Sequence, residues 1–315
     1  MSDILTDFLV MTSSGLYCVY GDFHIDPQIP VSRAVISHAH GDHARPGNQL
    51  VYCTPATQSF MECRYGKKGA IQYETKEFHE VFSIRDIQIS FISAGHILGS
   101  AQILMIHKGI RYLYTGDYKV QPDATCEPLD YTRADVLITE STFANPEVKH
   151  PDFVAEIKKL NQTPFNILLG AYGLGKAQRL NQLINIHCPD KIVLLHYSIL
   201  PIHKIYEQFG INTLQYTPYD RKIMKHNKQG HVYIVPALTF KSYFHAKDLV
   251  KAFASGWEYL QRQNDISLYI SDHVDWDDII GFIERVEPRE IWTVHGDGKL
   301  LKDHFDNNIT VKILN

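Results

Sequence analysis

Several features are scarce in this chain, and each scarcity excludes something. The five cysteines, Cys18, Cys53, Cys63, Cys126 and Cys188, are odd in number, scattered and never in a C-x-x-C pair. That argues against a disulfide framework and a cysteine zinc site, and for a reduced, cytoplasmic setting. No apolar run approaches transmembrane length, so no membrane partner is expected. Met1 to Val10 holds two aspartates and no basic residue, unlike the cationic start of a secretory signal. A basic excess is also lacking: the formal net charge is -4, not the balance of a protein that coats nucleic acid. Attraction of a polyanion would have to be local, with metal ions supplying part of it. Internal repeats, linkers and low-complexity segments are likewise missing.

What is present fits a globular protein with a sizeable core. The 315 residues, 44% hydrophobic and 21% charged, suffice for one large domain or two ordinary ones. Histidine stands out, with 17 copies. Three of them, His38, His40 and His43, fall with Asp42 inside Ser37-His38-Ala39-His40-Gly41-Asp42-His43. All four are good ligands for a borderline divalent metal such as zinc. The preceding 33–37 reads as a short apolar strand, which would hold the ligands in a loop at a sheet edge.

The first part of the chain reads as β. Short strands are expected at 15–20, 23–26, 49–53, 87–92, 101–107, 111–115 and 136–139, with a helix over 54–65 capped by Thr54. After about Phe143 strands alternate with helices, as in a parallel α/β unit. The strands are 166–169, 192–195 and 232–235; the helices are 152–160, 176–186 and 202–209. A strand at 266–270, a helix at 276–285 and a strand at 290–294 follow. The simplest account is one domain interrupted by another.

Further strand ends deliver single candidates: His96, Asp117, Glu140, His273 and His295, with Asp26 earlier. Taken alone, each has a plain reading, such as a structural histidine, a turn aspartate or a helix cap. Together, in this order, they are specific. Gly170 to Lys176 fits G-x-x-x-x-G-K, but Ala177 stands where a nucleotide-binding loop needs Ser or Thr for magnesium, which excludes an NTPase. Its strand–loop–helix setting, with Lys176 and Arg179 nearby, suits an anion site, with a structural turn as the alternative. Lys67-Lys68 and the run from Arg221 to Lys228 are basic clusters that read either as contacts to a nucleic-acid backbone or, more plainly, as solvated loops. Phe240, Tyr243 and Phe244 read either as base-stacking residues or as insert core.

The order His38-His40-Asp42-His43, His96, Asp117 resembles the metallo-β-lactamase superfamily. Its continuation through Glu140, His273 and His295 is similar to the β-CASP branch, whose nucleases include Artemis-like DNA enzymes and RNA 3′-end-processing endonucleases. Asp26 matches that branch's early aspartate, and 170–178 resembles the phosphate-side loop of its insert. Gly15-Leu16-Tyr17-Cys18, Gly21-Asp22-Phe23 and Ile25-Asp26-Pro27 look like the bacterial DNA-ligase-associated exonuclease subgroup.

The resemblance covers nearly the whole chain. It implies an αββα metallo-β-lactamase sandwich over 1–143 and 266–315, with an inserted parallel α/β β-CASP domain over 144–265. It implies two divalent metals, zinc or manganese. His38, His40 and His96 would hold one; Asp42, His43 and His295 the other; Asp117 would bridge them. Asp26 would orient a ligand histidine, and His273 with Glu140 would act as general acid. Gly173, Gly175, Lys176 and Arg179 would meet substrate phosphate.

The implied function is a zinc-dependent exonuclease on DNA ends in repair, with a DNA ligase and helicase as companions. Two departures matter. A histidine at the last motif, here His295, is the pattern of RNA-directed members, so an RNA-processing nuclease competes. The insert is also short for the branch. A lactonase- or thioesterase-like hydrolase shares the first motif but lacks such an insert, and a non-catalytic platform would have lost ligands.

Overall fold

The computed structural model describes residues 3–226, 229–243, 249–262, 264–305 and 308–314. The chain forms two compact units. The first comprises Met1–Pro122, Cys126–Lys149 and His273–Asn315; the second comprises Asp123–Thr125 and His150–Asp272.

The first unit opens with a six-stranded sheet in sequential order: β1 (Leu9–Thr12), β2 (Gly15–Cys18), β3 (Phe23–Ile25), β4 (Arg33–Val35), β5 (Asn48–Cys53) and β6 (Ala70–Thr75). The hairpin strands β1 to β3 are antiparallel. From β3 to β6 the pairing is parallel, which allows helix α1 (Pro55–Tyr65) to cross between β5 and β6. Thr54 caps α1 by accepting from the Thr57 amide, as its position before Pro55 predicts. A second sheet begins with β7 (Phe82–Ile84), β8 (Ile87–Ser93), β9 (Ala101–His107), β10 (Ile110–Tyr114) and β11 (Val136–Glu140).

The second unit follows, with α2 (Phe153–Lys158), β12 (Ile167–Ala171), α3 (Lys176–His187), β13 (Ile192–Leu195), α4 (Leu200–Gln208), β14 (Thr217–Pro218), α5 (Arg221–His226), β15 (His231–Pro236), α6 (Ala237–Ser242), β16 (Val250–Ala254) and β17 (Ile266–Leu268). Its strands form one wholly parallel sheet, ordered β14-β13-β15-β12-β16-β17. Parallel strands covered on both faces read as continuous apolar runs, and all five residues of β12 are buried. Ile157, Leu180 and Ile184 cover one face with Leu169 and Ile234. Ile223, Met224, Phe240 and Tyr243 cover the other, against Leu168, Leu194 and Tyr233. Phe240 and Tyr243 are thus packing residues. Lys228 and Phe244 lie outside the described residues.

The chain then returns to the first unit with α7 (Trp276–Val286), β18 (Glu290–Val294), α8 (Lys299–Phe305) and β19 (Thr310–Ile313). β18 pairs in parallel with β11 and β19 with β18, completing the order β19-β18-β11-β10-β9-β8-β7. The two sheets of this unit face each other: Cys18, Ile25 and Val35 from one share a core with Ile89, Ile103, Tyr112 and Ile138 from the other. On the outer faces, Met61 of α1 packs on Val51, and Ile279, Phe282 and Ile283 of α7 pack with Leu113, Leu137 and Ile291. These layers make an αββα sandwich.

The limits of the insert differ from those expected. They fall at 150 and 272 rather than 144 and 265. Ile266 to Leu268 was expected in the sandwich, but as β17 it pairs with β16 in the insert's sheet. Strand β16, which had no expected counterpart, supplies the missing neighbour.

Candidate metal centre

Every candidate ligand in the first unit sits where a strand ends, and the pairing brings those ends together. Parallel pairing of β3 with β4 aligns Ile25 with Val35, so Asp26 arrives beside the 37–43 loop. Parallel pairing of β10 with β11 and of β11 with β18 aligns Tyr114 with Ile138 and Glu140 with Val294. Asp117, Glu140 and His295 therefore converge despite their distance in sequence. Two glycines make the turns possible. Gly95 has φ +67°, and a Cβ there would lie 2.6 Å from the Lys119 carbonyl oxygen. Gly116 has φ +57°, and its Cβ would lie 2.9 Å from Ser37 Cβ. Both are left-handed positions where glycine carries little strain.

The tight core of the site is His38, His40, His96 and Asp117, whose ligand atoms all lie within 4.8 Å of one another. His38 Nε2 and His96 Nε2 each stand 3.1 Å from His40 Nδ1. Asp117 Oδ2 is 3.6 Å from His38 Nε2 and 3.8 Å from His96 Nε2. A tetrahedral ion with bonds of about 2.0–2.1 Å holds its nitrogens roughly 3.3 Å apart, so these residues fit a zinc-type cation.

The expected second set lies alongside. His43 Nε2 is 3.4 Å from Asp117 Oδ2 and 3.9 Å from Asp42 Oδ2. The His43 and His295 rings are 5.0 Å apart. The Asp42 side chain is largely exposed, so it stands at the open rim.

Hydrogen bonds select the imidazole tautomers. The buried Asp26 carboxylate accepts from the Ser37 amide at 2.7 Å and the Ser37 hydroxyl at 2.6 Å. It also accepts from His43 Nδ1 at 2.8 Å and the Tyr114 hydroxyl at 3.0 Å. With its own proton on Asp26, Ser37 Oγ is left to accept from His38 Nδ1 at 3.0 Å. Both rings then turn Nε2 towards Asp117, the arrangement that orients metal-binding histidines.

Electrostatics follow this arrangement. Burial alone would lower His43, but Asp117 and then Asp26 hold its proton well above the ordinary histidine range. A bound cation would take that proton's place. Burial and then the charge of His43 push His38 well down, leaving it neutral, as a ligand must be. Burial would raise Asp117, yet His43 and then His273 hold it well below the usual carboxylate range. Burial and then Asp26 push the Tyr114 hydroxyl well up.

Replacing Asp26 with alanine is expected to weaken metal affinity about 10–100-fold, measured by competition with a chromophoric chelator. Unchanged affinity would remove Asp26 from that orienting role. Sequence reasoning missed Ser37 and Tyr114, whose hydroxyls share Asp26. Tyr114 also stands 3.3 Å from His295 Nε2. The only signal for Tyr114 is its place as the last residue of β10, just before Asp117.

His273 and Glu140 form a separate pair. His273 Nδ1 lies 2.9 Å from Glu140 Oε2, and its Nε2 is 4.0 Å from Asp117 Oδ2. Glu140 is fully buried and accepts from the Tyr118 amide at 3.1 Å. The carboxylate thus holds one ring nitrogen, and the other faces the metal cluster.

In the second unit the glycine loop does join a strand to a helix, and the Gly175 amide donates to Gln178 Oε1 at 2.7 Å. Its cations, expected at substrate phosphate, are buried instead. Lys176 Nζ bonds the Ile270 carbonyl and pairs with Asp272 at 3.1 Å. Arg179 bonds the Ser271 carbonyl and Asp272. A Cβ on Gly173 would meet only Ile199 and Ile202, at 3.8–3.9 Å. Lys176 and Arg179 thereby anchor the 270–272 segment.

Comparison with protein-family models gives no match. A probable DNA ligase of Opitutus terrae is 30% identical over 303 residues, covering 91% of this chain and 29% of that protein. An RNase J-like protein of Methanocaldococcus jannaschii is 31% identical over 183 residues, covering 49% of this chain and 44% of that protein. The chain thus spans less than half the length of either curated relative. Among solved structures, a protein of unknown function from Enterococcus faecalis V583 superposes with a TM-score of 0.63 at 14% identity. That match covers 90% of this chain and 79% of the other, and shows a shared fold. With its histidine–aspartate cluster at the strand ends of an αββα sandwich and a parallel α/β insert, the chain belongs to the β-CASP branch of the metallo-β-lactamase superfamily.

Proposed function

We propose that this protein is a metal-dependent phosphodiesterase, a zinc- or manganese-dependent exonuclease acting on DNA ends in repair. The observation that carries the reading is the convergence of His38, His40, His96 and Asp117 beside an independent Glu140–His273 pair. A lactonase-like hydrolase would have no use for that pair.

His38, His40 and His96 would hold one cation, and Asp42, His43 and His295 a second, with Asp117 reaching both. Two such cations would supply Lewis acidity for water and for the phosphate oxygens. In hydrolysis, water's hydroxyl joins phosphorus, its remaining proton passes to solvent, and the bond to the leaving alkoxide breaks. His273 serves as general acid: Glu140 holds its Nδ1–H, and the proton on Nε2 passes to the departing oxygen. Asp26 keeps the ligand rings turned inward throughout.

DNA is favoured because a sequence covering 91% of this chain lies within a polypeptide named a probable DNA ligase. That shared polypeptide also favours a ligase as companion; a helicase of the same repair system is proposed beside it on the sequence resemblance alone. The RNase J-like relative favours RNA as the second reading. End-labelled DNA and RNA of matched sequence, incubated with metal-loaded protein, decide between them. Progressive shortening of DNA is expected, and faster cleavage of RNA would replace this reading with the second.

A further inference from the structure

The net charge of -4 leaves open how a polyanion is drawn in. Within 45–69 the balance reverses, with Arg45, Arg64, Lys67 and Lys68 against a single acid, Glu62. All four cations are exposed. Glu62 Oε1 accepts from the Gln58 side-chain Nε2 at 2.7 Å. No acid pairs with any of the four among the described residues.

The fold places these charges against the ligand loop. Arg64, in the last turn of α1, donates from Nη1 to the Ala39 carbonyl at 2.7 Å, between His38 and His40. A Cβ on Gly41 would sit 3.6 Å from the same nitrogen. Gly66, at φ +56°, ends α1 and starts the short turn Gly66–Lys68 that carries both lysines. The Gly47 amide bonds the Lys68 and Gly69 carbonyls, each at 2.9 Å, which ties that turn to the segment holding Arg45.

We propose that Arg45, Lys67 and Lys68, with Arg64 beside them, form a basic ledge that seats the phosphate backbone of a single nucleic-acid strand next to the 38–43 loop. Clustered like charges without acidic partners repel one another. A polyanion removes that repulsion and releases its counterions. Charges more than about 10 Å apart are largely screened at moderate salt, so the local sign outweighs the acidic total. The ledge rests on the phosphodiesterase reading and adds to it where the strand outside the reacting bond lies.

The test uses the metal-loaded protein, labelled single-stranded DNA and RNA, and bis(p-nitrophenyl) phosphate as a substrate too small to reach the ledge. Arg45→Gln/Lys67→Glu/Lys68→Glu is expected to raise KM for the oligonucleotide about tenfold. Its slope of log K against log[salt] should become shallower by about 2, at about 0.7 per lost phosphate contact. Metal content, melting temperature and turnover of the small diester should stay at the wild-type level. Lys67→Arg/Lys68→Arg should bind as wild type. An unchanged KM and slope in the triple variant would overturn the ledge and leave the phosphodiesterase reading standing. A metal-loaded wild type that cleaves neither substrate would overturn both.

Discussion

Asp117→Asn should strip the site of metal and abolish strand cleavage, a loss of about 10⁴-fold or more against the roughly 10–100-fold expected of a supporting partner. Asp117 Oδ2 reaches both halves of the cluster, at 3.6 Å from His38 Nε2, 3.4 Å from His43 Nε2 and 3.8 Å from His96 Nε2. Asparagine keeps the volume and removes the anion. The clustered imidazoles then lose the negative charge that makes a dication welcome among them, and among the described residues His43 is left with Asp26 as its close buried carboxylate. Metal content after gel filtration, with cleavage of an end-labelled oligonucleotide, measures both effects. Two metals retained with activity within tenfold of wild type would remove Asp117 from the centre of the mechanism.

The second large effect is expected at His273. His273→Ala should retain the metals and lower kcat by about 10²–10⁴-fold on an oligonucleotide, the usual contribution of a positioned acid. On bis(p-nitrophenyl) phosphate the loss should be far smaller, because p-nitrophenolate departs without a proton. The geometry separates this residue from the tight ligand set: Nδ1 is held by Glu140 at 2.9 Å, and the ring is part-exposed. Metal loss in this variant would make His273 a ligand instead, a reading with its own geometric basis, since Asp117, Glu140 and His273 also group within 4.8 Å. An equal loss on both substrates would likewise remove the general-acid role. The two variants therefore fail in distinguishable ways: one through metal content, the other through leaving-group dependence.

Much of the candidate site is legible in the sequence. The 38–43 run is local, so its ligands are adjacent in sequence and in space. His96, Asp117, Glu140, His273 and His295 were legible as polar residues ending apolar strands. What the pattern could not supply was each partner. Ser37 and Tyr114 reach Asp26 from positions 11 and 88 residues away, and no local periodicity marks a hydroxyl destined for a buried carboxylate. The glycine loop misled for a related reason. A strand, three glycines and a lysine look the same whether the lysine faces an anion or turns inward, and Asp272, 96 residues beyond Lys176, draws it inward. Strand β17 misled because only three of its residues form the ladder, and their allegiance depends on β16.

The fold shows the same division. The chain's own periodicity determined where strands and helices lie and which loops carry ligands, because alternation and capping act over a few residues. The chemistry of the ligand set, histidines with an aspartate, was likewise written locally. Only tertiary structure decided that these loops share one edge, which carboxylate each histidine uses, and that Lys176 and Arg179 serve Asp272 while Arg45, Lys67 and Lys68 stay in solvent. Those outcomes depend on parallel pairing between strands far apart in the chain and on burial, which sets the cost of leaving a charge without its partner.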